Sequence, residues 1–114
     1  MKEKNCEIKD DKLLQNEKII FIAPASIEDF VIKGENIIVL VISNLITGDS
    51  NVYCYDFNGE LKWQIPPADK LHFTNYYTSI YLSNDNELQA YSKNGVEYTL
   101  NERNGSILKK ELIK

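Results

Sequence analysis

The chain has 114 residues, 43% of them hydrophobic and 26% charged, the balance of an ordinary globular domain rather than a disordered segment. Thirteen Lys and Arg against seventeen Asp and Glu leave a net charge of −4, which argues against nucleic acid as a partner, since that needs a clustered basic face. Two cysteines are too few for a disulfide scaffold, and no apolar run reaches the roughly 20 residues of a membrane-spanning helix.

Taken in order, the chain opens on MKEKNCEIKDDK, which lacks the apolar core of a secretory signal, so a cytoplasmic setting is expected. Residues 1–17 read as a charged segment, frayed or lying along an edge, with Asp10-Asp11 in solvent. Lys18 to Ala23 (KIIFIA) is a short apolar strand stopped by Pro24. Ser26 to Asp29 has the hydroxyl-then-carboxylate pattern of a helix start but is too short to make one. Asp29 to Lys33 reads as strand, Gly34-Glu35-Asn36 as turn, and Ile37 to Ser43 as the most buried strand, its β-branched run implying cover on both faces. Leu45 to Asn51 is a loop around Gly48.

Val52 to Ile65 (VYCYDFNGELKWQI) is the organising stretch, two strands around Asn58-Gly59, a pair that suits a two-residue type I′ turn. That turn would place Tyr55 opposite Lys62 and Cys54 opposite Trp63. One face then carries Val52, Cys54, Asp56, Leu61, Trp63 and Ile65; the other carries Tyr53, Tyr55, Phe57, Glu60, Lys62 and Gln64. Pro66-Pro67 ends the unit. Tyr77 to Leu82, Glu87 to Lys93, Val96 to Glu102 and Ile107 to Ile113 then alternate as strands around three Asn-containing turns. The expectation is an all-β single domain over 1–114, made of two consecutive four-stranded antiparallel meanders at 18–67 and 68–114. They pack as a sandwich or open half-propeller, or are closed by self-association.

Asn58-Gly59 and Asn104-Gly105 lie 46 residues apart, each closing the last hairpin of its unit, and four short strands per 40–50 residues is the period of propeller blades. A rival alignment puts Asn94-Gly95 in register at 36 residues. The stretch Tyr55 to Trp63 (YDFNGELKW) resembles the quinoprotein-type (PQQ-like) propeller repeat, A-x-D-x-x-x-G-x-x-x-W, and more loosely the WD-like blade. Asp56, Gly59 and Trp63 hold the motif places, with one fewer residue before the glycine. In the second unit Asn101 takes the Asp place, Gly105 keeps the turn, and Lys109 stands where the Trp would be. The resemblance implies blade-like sheets and, for Asp56, a structural bond to the adjoining turn. It supplies no cofactor residues that map onto this chain.

No catalytic, cofactor or metal constellation emerges. His72, the single histidine, has only Thr74 near it in sequence, and two Cys with one His at no close spacing do not make a zinc site. Cys54, facing Trp63, reads as an apolar filler, and Cys6 as the more exposed thiol. Ser83 to Glu87 is similar to a sialidase-type Asp-box turn but has Glu87 for its glycine, so Asx side chains bonding their own backbone are expected there. The group singled out is aromatic: Tyr53, Tyr55, Phe57, Tyr76, Tyr77, Tyr81 and Tyr91, with Glu60, at least half of the aromatics packing between strands and an exposed subset contacting a partner. The expected function is therefore non-enzymatic protein binding without a cofactor, of the kind an acidic immunity-type protein exerts on a basic toxin. Alternatives are a self-assembling propeller fragment serving as scaffold, and a small-molecule or glycan-binding domain using the aromatic face.

Overall fold

The structure is a computed structural model and describes residues 5–44, 47–67 and 75–113. Among these residues eleven strands form three antiparallel sheets. The first sheet contains β1 (Cys6–Lys9), β2 (Lys12–Gln15) and β3 (Lys18–Ile22). The second contains β4 (Ile27–Lys33), β5 (Asn36–Val41), β6 (Val52–Asp56) and β7 (Leu61–Gln64). The third contains β8 (Tyr77–Leu82), β9 (Leu88–Ser92), β10 (Val96–Leu100) and β11 (Ile107–Leu112). Each four-stranded sheet is an open meander in chain order. The two expected meanders are therefore present, and Gly59 and Gly105 both close a last hairpin, as the 46-residue offset requires.

The sheets stack face to face, and strand alternation sorts the side chains between two cores. Leu13 and Phe21 of the first sheet meet Phe30, Ile37, Val39, Tyr53 and Tyr55 of the second. Ile38, Leu40, Val52, Cys54 and Trp63, from the opposite face of the second sheet, meet Ile80, Leu88, Ala90, Tyr98 and Leu100 of the third. All six residues of β5 are buried, as its unbroken apolar run implies. At about 1.5–3 kcal/mol for each aliphatic side chain taken out of water, this strand is a leading contributor to stability. Phe21 stacks on Tyr55 with ring centroids 3.8 Å apart, and Tyr77 meets Tyr98 edge-on at 5.6 Å.

Four expectations are corrected. Of the two alternatives for the N-terminal segment, frayed or lying along an edge, residues 6–15 take the second as strands with β1 at a sheet edge, but Lys18–Ile22 pairs with them instead of opening the 18–67 unit. Cys6, set down as the exposed thiol, is buried in the first core. β4 starts at Ile27 rather than at Asp29, and residues 26–29 make no helical turn, as their shortness implied. The central hairpin is not a two-residue loop: only Gly59 has positive φ (+87°), and Gly59 N donates to Asp56 O at 3.0 Å. Asp56 Oδ1 accepts from Asn58 N (2.9 Å) and Glu60 N (3.0 Å), which holds a longer turn ending in a bulge. Cys54 still faces Trp63, but Tyr55 faces Leu61, and Leu61 is 55% exposed instead of in the core.

A second turn follows the same plan with other side chains. Ser83 Oγ accepts from the backbone N–H of Asp85 and Glu87, so the serine hydroxyl, rather than an Asx group, closes it. Asn86 takes the left-handed place that Gly59 holds (φ +62°).

The last hairpin of each four-stranded sheet also locks onto the outermost strand of the sheet before it. A Cβ at Gly59 would collide with the carbonyl oxygen of Ile20 in β3. A Cβ at Gly105 would lie 2.7 Å from Cδ2 of Trp63 in β7. Trp63 Nε1 completes the second lock by donating to Glu102 O at 2.8 Å. Asn51, 1% exposed, ties the same two sheets at another point. Its Nδ2 donates to Val41 O (2.9 Å) and Tyr77 O (2.8 Å), and its Oδ1 accepts from Tyr77 N (2.9 Å).

Candidate functional site

The aromatic residues divide sharply. Tyr53, Tyr55 and Tyr77 are buried in the two cores and present no surface, so for these three the packing alternative holds. Phe57 packs against the first core at its margin. Glu60 is exposed at the Asp56 turn, away from the tyrosines that remain accessible, which are Tyr76, Tyr81 and Tyr91. His72 and Thr74 lie outside the described residues. Among the described residues no three His, Cys, Asp or Glu side chains converge as a metal-binding group.

Burial also governs the titrating groups. It pushes the Cys54 thiol up to about 12, with Lys62 partly opposing, so this thiol is inert, as a filler should be. Burial likewise raises Tyr77, helped by neighbouring Tyr98 and Asp49, and raises Tyr53 and Tyr55. In each case the neutral form is favoured in the folded state. The associated stability is complete below the ordinary value of the group, 9.0 for the thiol and 10.0 for the tyrosines, and is lost as pH climbs through the raised folded value. Melting temperature should change little on these groups' account up to pH 9 and fall steeply above 10, with Tyr53, Tyr55 and Tyr77 ionising only as the protein unfolds. Ionisation of any of these three in the folded protein, read residue by residue, would contradict the burial.

Tyr81 and Tyr91 stand on the outer face of the third sheet, which no described element covers. Aligning the turn-capping residues Asp56 and Asn101 makes this face comparable with the second sheet, position by position. In the second sheet Val31, Ile38, Leu40, Val52, Cys54 and Trp63 cover the next sheet. The equivalent places in the third sheet hold Tyr81, Gln89, Tyr91, Glu97, Thr99 and Lys109, by the pairings Tyr81↔Gln89↔Thr99↔Lys109 and Tyr91↔Glu97. An apolar docking set has been exchanged for aromatic, amide, hydroxyl and charged groups.

The polar groups of this face are organised. Thr99 Oγ1 donates to Gln89 Oε1 at 3.0 Å, and both residues are buried although they point outward. The Tyr81 hydroxyl donates to Glu97 Oε2. Glu97 lies directly opposite Glu111. Like charges placed opposite one another cost stability, so this pair is a poor choice for a face that only needs to be wet. The sequence reading found Tyr81 and Tyr91 and missed Gln89, Glu97, Thr99 and Glu111; of these substitutions, only Lys109 for Trp63 showed along the chain.

A concavity of about 460 Å³ lies between one end of the second sheet and the same end of the third, with Glu28, Ser43, Tyr76, Thr78 and Lys93 among its walls. The Lys93 ammonium sits 5.4 Å from the Tyr76 ring centroid. Nearby, Asp49 Oδ2 accepts from Asn75 N at 3.2 Å, while Asp49 Oδ1 and Ser92 Oγ are buried with no hydrogen-bond partner among the described residues.

Fold and face together define an all-β domain of stacked antiparallel meanders that ends in a tyrosine-bearing polar sheet face. The chain belongs to the DUF7957 family, a domain of unknown function, whose family model matches residues 4–112. No curated protein matches it. Among the described residues no helix is long and apolar enough to cross a membrane.

Proposed function

We propose that this chain acts by binding another protein through the outer face of its third sheet. The observation that carries the reading is the exchange of Val31, Ile38, Leu40, Val52, Cys54 and Trp63 for Tyr81, Gln89, Tyr91, Glu97, Thr99 and Lys109 at equivalent positions. Tyrosine gives large, rigid contact area with one polar end, and amides and hydroxyls supply adaptable hydrogen bonds, the mixture that binding faces favour. The Glu97–Glu111 pair selects for a partner with a basic surface. A basic toxin, neutralised as an immunity-type protein would neutralise it, is one partner of that chemistry, and the net charge of −4 would speed its approach.

Two substitutions test this. Glu111→Lys should stabilise the isolated domain by a few tenths of a kcal/mol, because it converts a like-charge cross-strand pair into an opposite one. It should also remove binding to a basic partner. Tyr91→Ser should weaken binding while leaving the fold intact. The measurement is affinity capture with wild type and both variants, alongside urea unfolding. A partner held equally by all three proteins would refute this face as the site.

A further inference from the structure

We infer that the two open faces of this chain are complementary, so that two copies close head to tail, the first sheet of each lying on the third sheet of the other. The inference rests on the reading of the third-sheet face as a protein-binding surface, and it names the partner as a second copy of the chain.

The first sheet supplies the argument. Its inner positions Cys6, Leu13 and Phe21 fill the first core, so alternation turns Glu7, Lys9, Lys12, Leu14, Ile19 and Ile22 outward. Ile19 and Ile22 are more than half exposed, which makes this the most apolar open sheet face among the described residues. Lys9 lies directly opposite Lys12, a like-charge pair of the opposite sign to Glu97–Glu111. Asp11, in the adjoining turn, bonds Lys12 at 3.1 Å and offsets part of that charge, whereas Lys9 is exposed at the end of β1. Glu7 subtracts from the charge of the first face and Lys109 from that of the third, but each face keeps the sign of its pair, and contact between the two relieves both. Aliphatic Ile19 and Ile22 opposite Tyr81 and Tyr91 would complete the match.

The count of sheets agrees. Three stacked sheets cannot close on themselves, but two chains bring six, within the four to eight blades around which propellers close. Because the contact joins different faces, it closes only if the rotation allows, and two copies related by a twofold axis satisfy that condition.

The test uses light scattering on a sizing column at low salt, with the intact chain and two variants at exposed positions, Lys9→Glu and Glu111→Lys. Wild type should run at twice the 13.2 kDa chain mass, and added salt should lower that mass. Each variant alone should run as a monomer, since both of its open faces then carry the same sign. An equimolar mixture of the two variants should recover the double mass, because the acidic first sheet of one now meets the basic third sheet of the other. A monomeric wild type at every concentration, or a dimer that survives in both variants, overturns the inference. If the wild type is monomeric yet retains a basic protein that Tyr91→Ser and Glu111→Lys lose, the inference fails and the binding-face reading stands. If it retains nothing, both fall.

Discussion

Replacing Gly105 with alanine is expected to destabilise the domain by about 2–5 kcal/mol, a large share of the 5–15 kcal/mol that holds a typical domain together. Two costs combine. Gly105 has φ +76°, and an L side chain in the left-handed region costs about 1–2 kcal/mol. The new methyl group would also run into the Trp63 ring, 2.7 Å from Cδ2, and relieving such overpacking costs about 1–3 kcal/mol more. The ring cannot swing aside without breaking its 2.8 Å bond to Glu102 O. Gly34→Ala is the control: its φ is +61°, but nothing lies within 4 Å of the added atom, so only the backbone cost remains. Urea unfolding of the two variants separates the terms. Equal losses would show that the turn does not lock onto Trp63.

Asn51→Leu should cost roughly 3 kcal/mol or more even though the side chains are close in size. It strands Val41 O, Tyr77 O and Tyr77 N, all in the interior between the second and third sheets, and each buried polar group left unpaired costs about 1–3 kcal/mol. Hydrogen exchange at the Tyr77 amide gives a local readout, and its protection should collapse well below that of the β9–β10 amides. A loss under about 1 kcal/mol with Tyr77 still protected would mean that water replaces the amide, and that Asn51 does not couple the sheets.

Much of the fold was legible because its punctuation is explicit. Gly34, Asn58-Gly59, Asn94-Gly95 and Asn104-Gly105 mark turns between alternating runs, and the strands between them fall close to their expected limits. The first sheet was illegible for a physical reason. Its turns place Asp10, Asn16 and Glu17 in left-handed conformations without a glycine, and the inner residues of its first two strands, Cys6, Ile8 and Leu13, stand among charges that resemble a solvated tail. The register of the central hairpin was missed because one carboxylate, that of Asp56, decides it by capturing two N–H groups.

The candidate site was half legible. Which tyrosines are buried depends on which sheet face meets a neighbour, and no single strand states that. Tyr53 and Tyr81 look alike in sequence, yet the first meets another sheet and the second does not. What could have revealed the face was the comparison of repeats, where Lys109 in place of Trp63 marks the end of apolar stacking.

The second sheet has both faces committed, and this bears on how the chain can change over time. At each of positions 37–41 in β5 and 52–55 in β6 a new side chain must satisfy one core or the other, so there is no neutral side on which variation can accumulate. Apart from the buried, hydrogen-bonded pair Gln89 and Thr99, the outward positions of the first and third sheets touch neither core. New specificities can arise there by substitution at Ile19 or Tyr91 while the interior that supports them stays as it is.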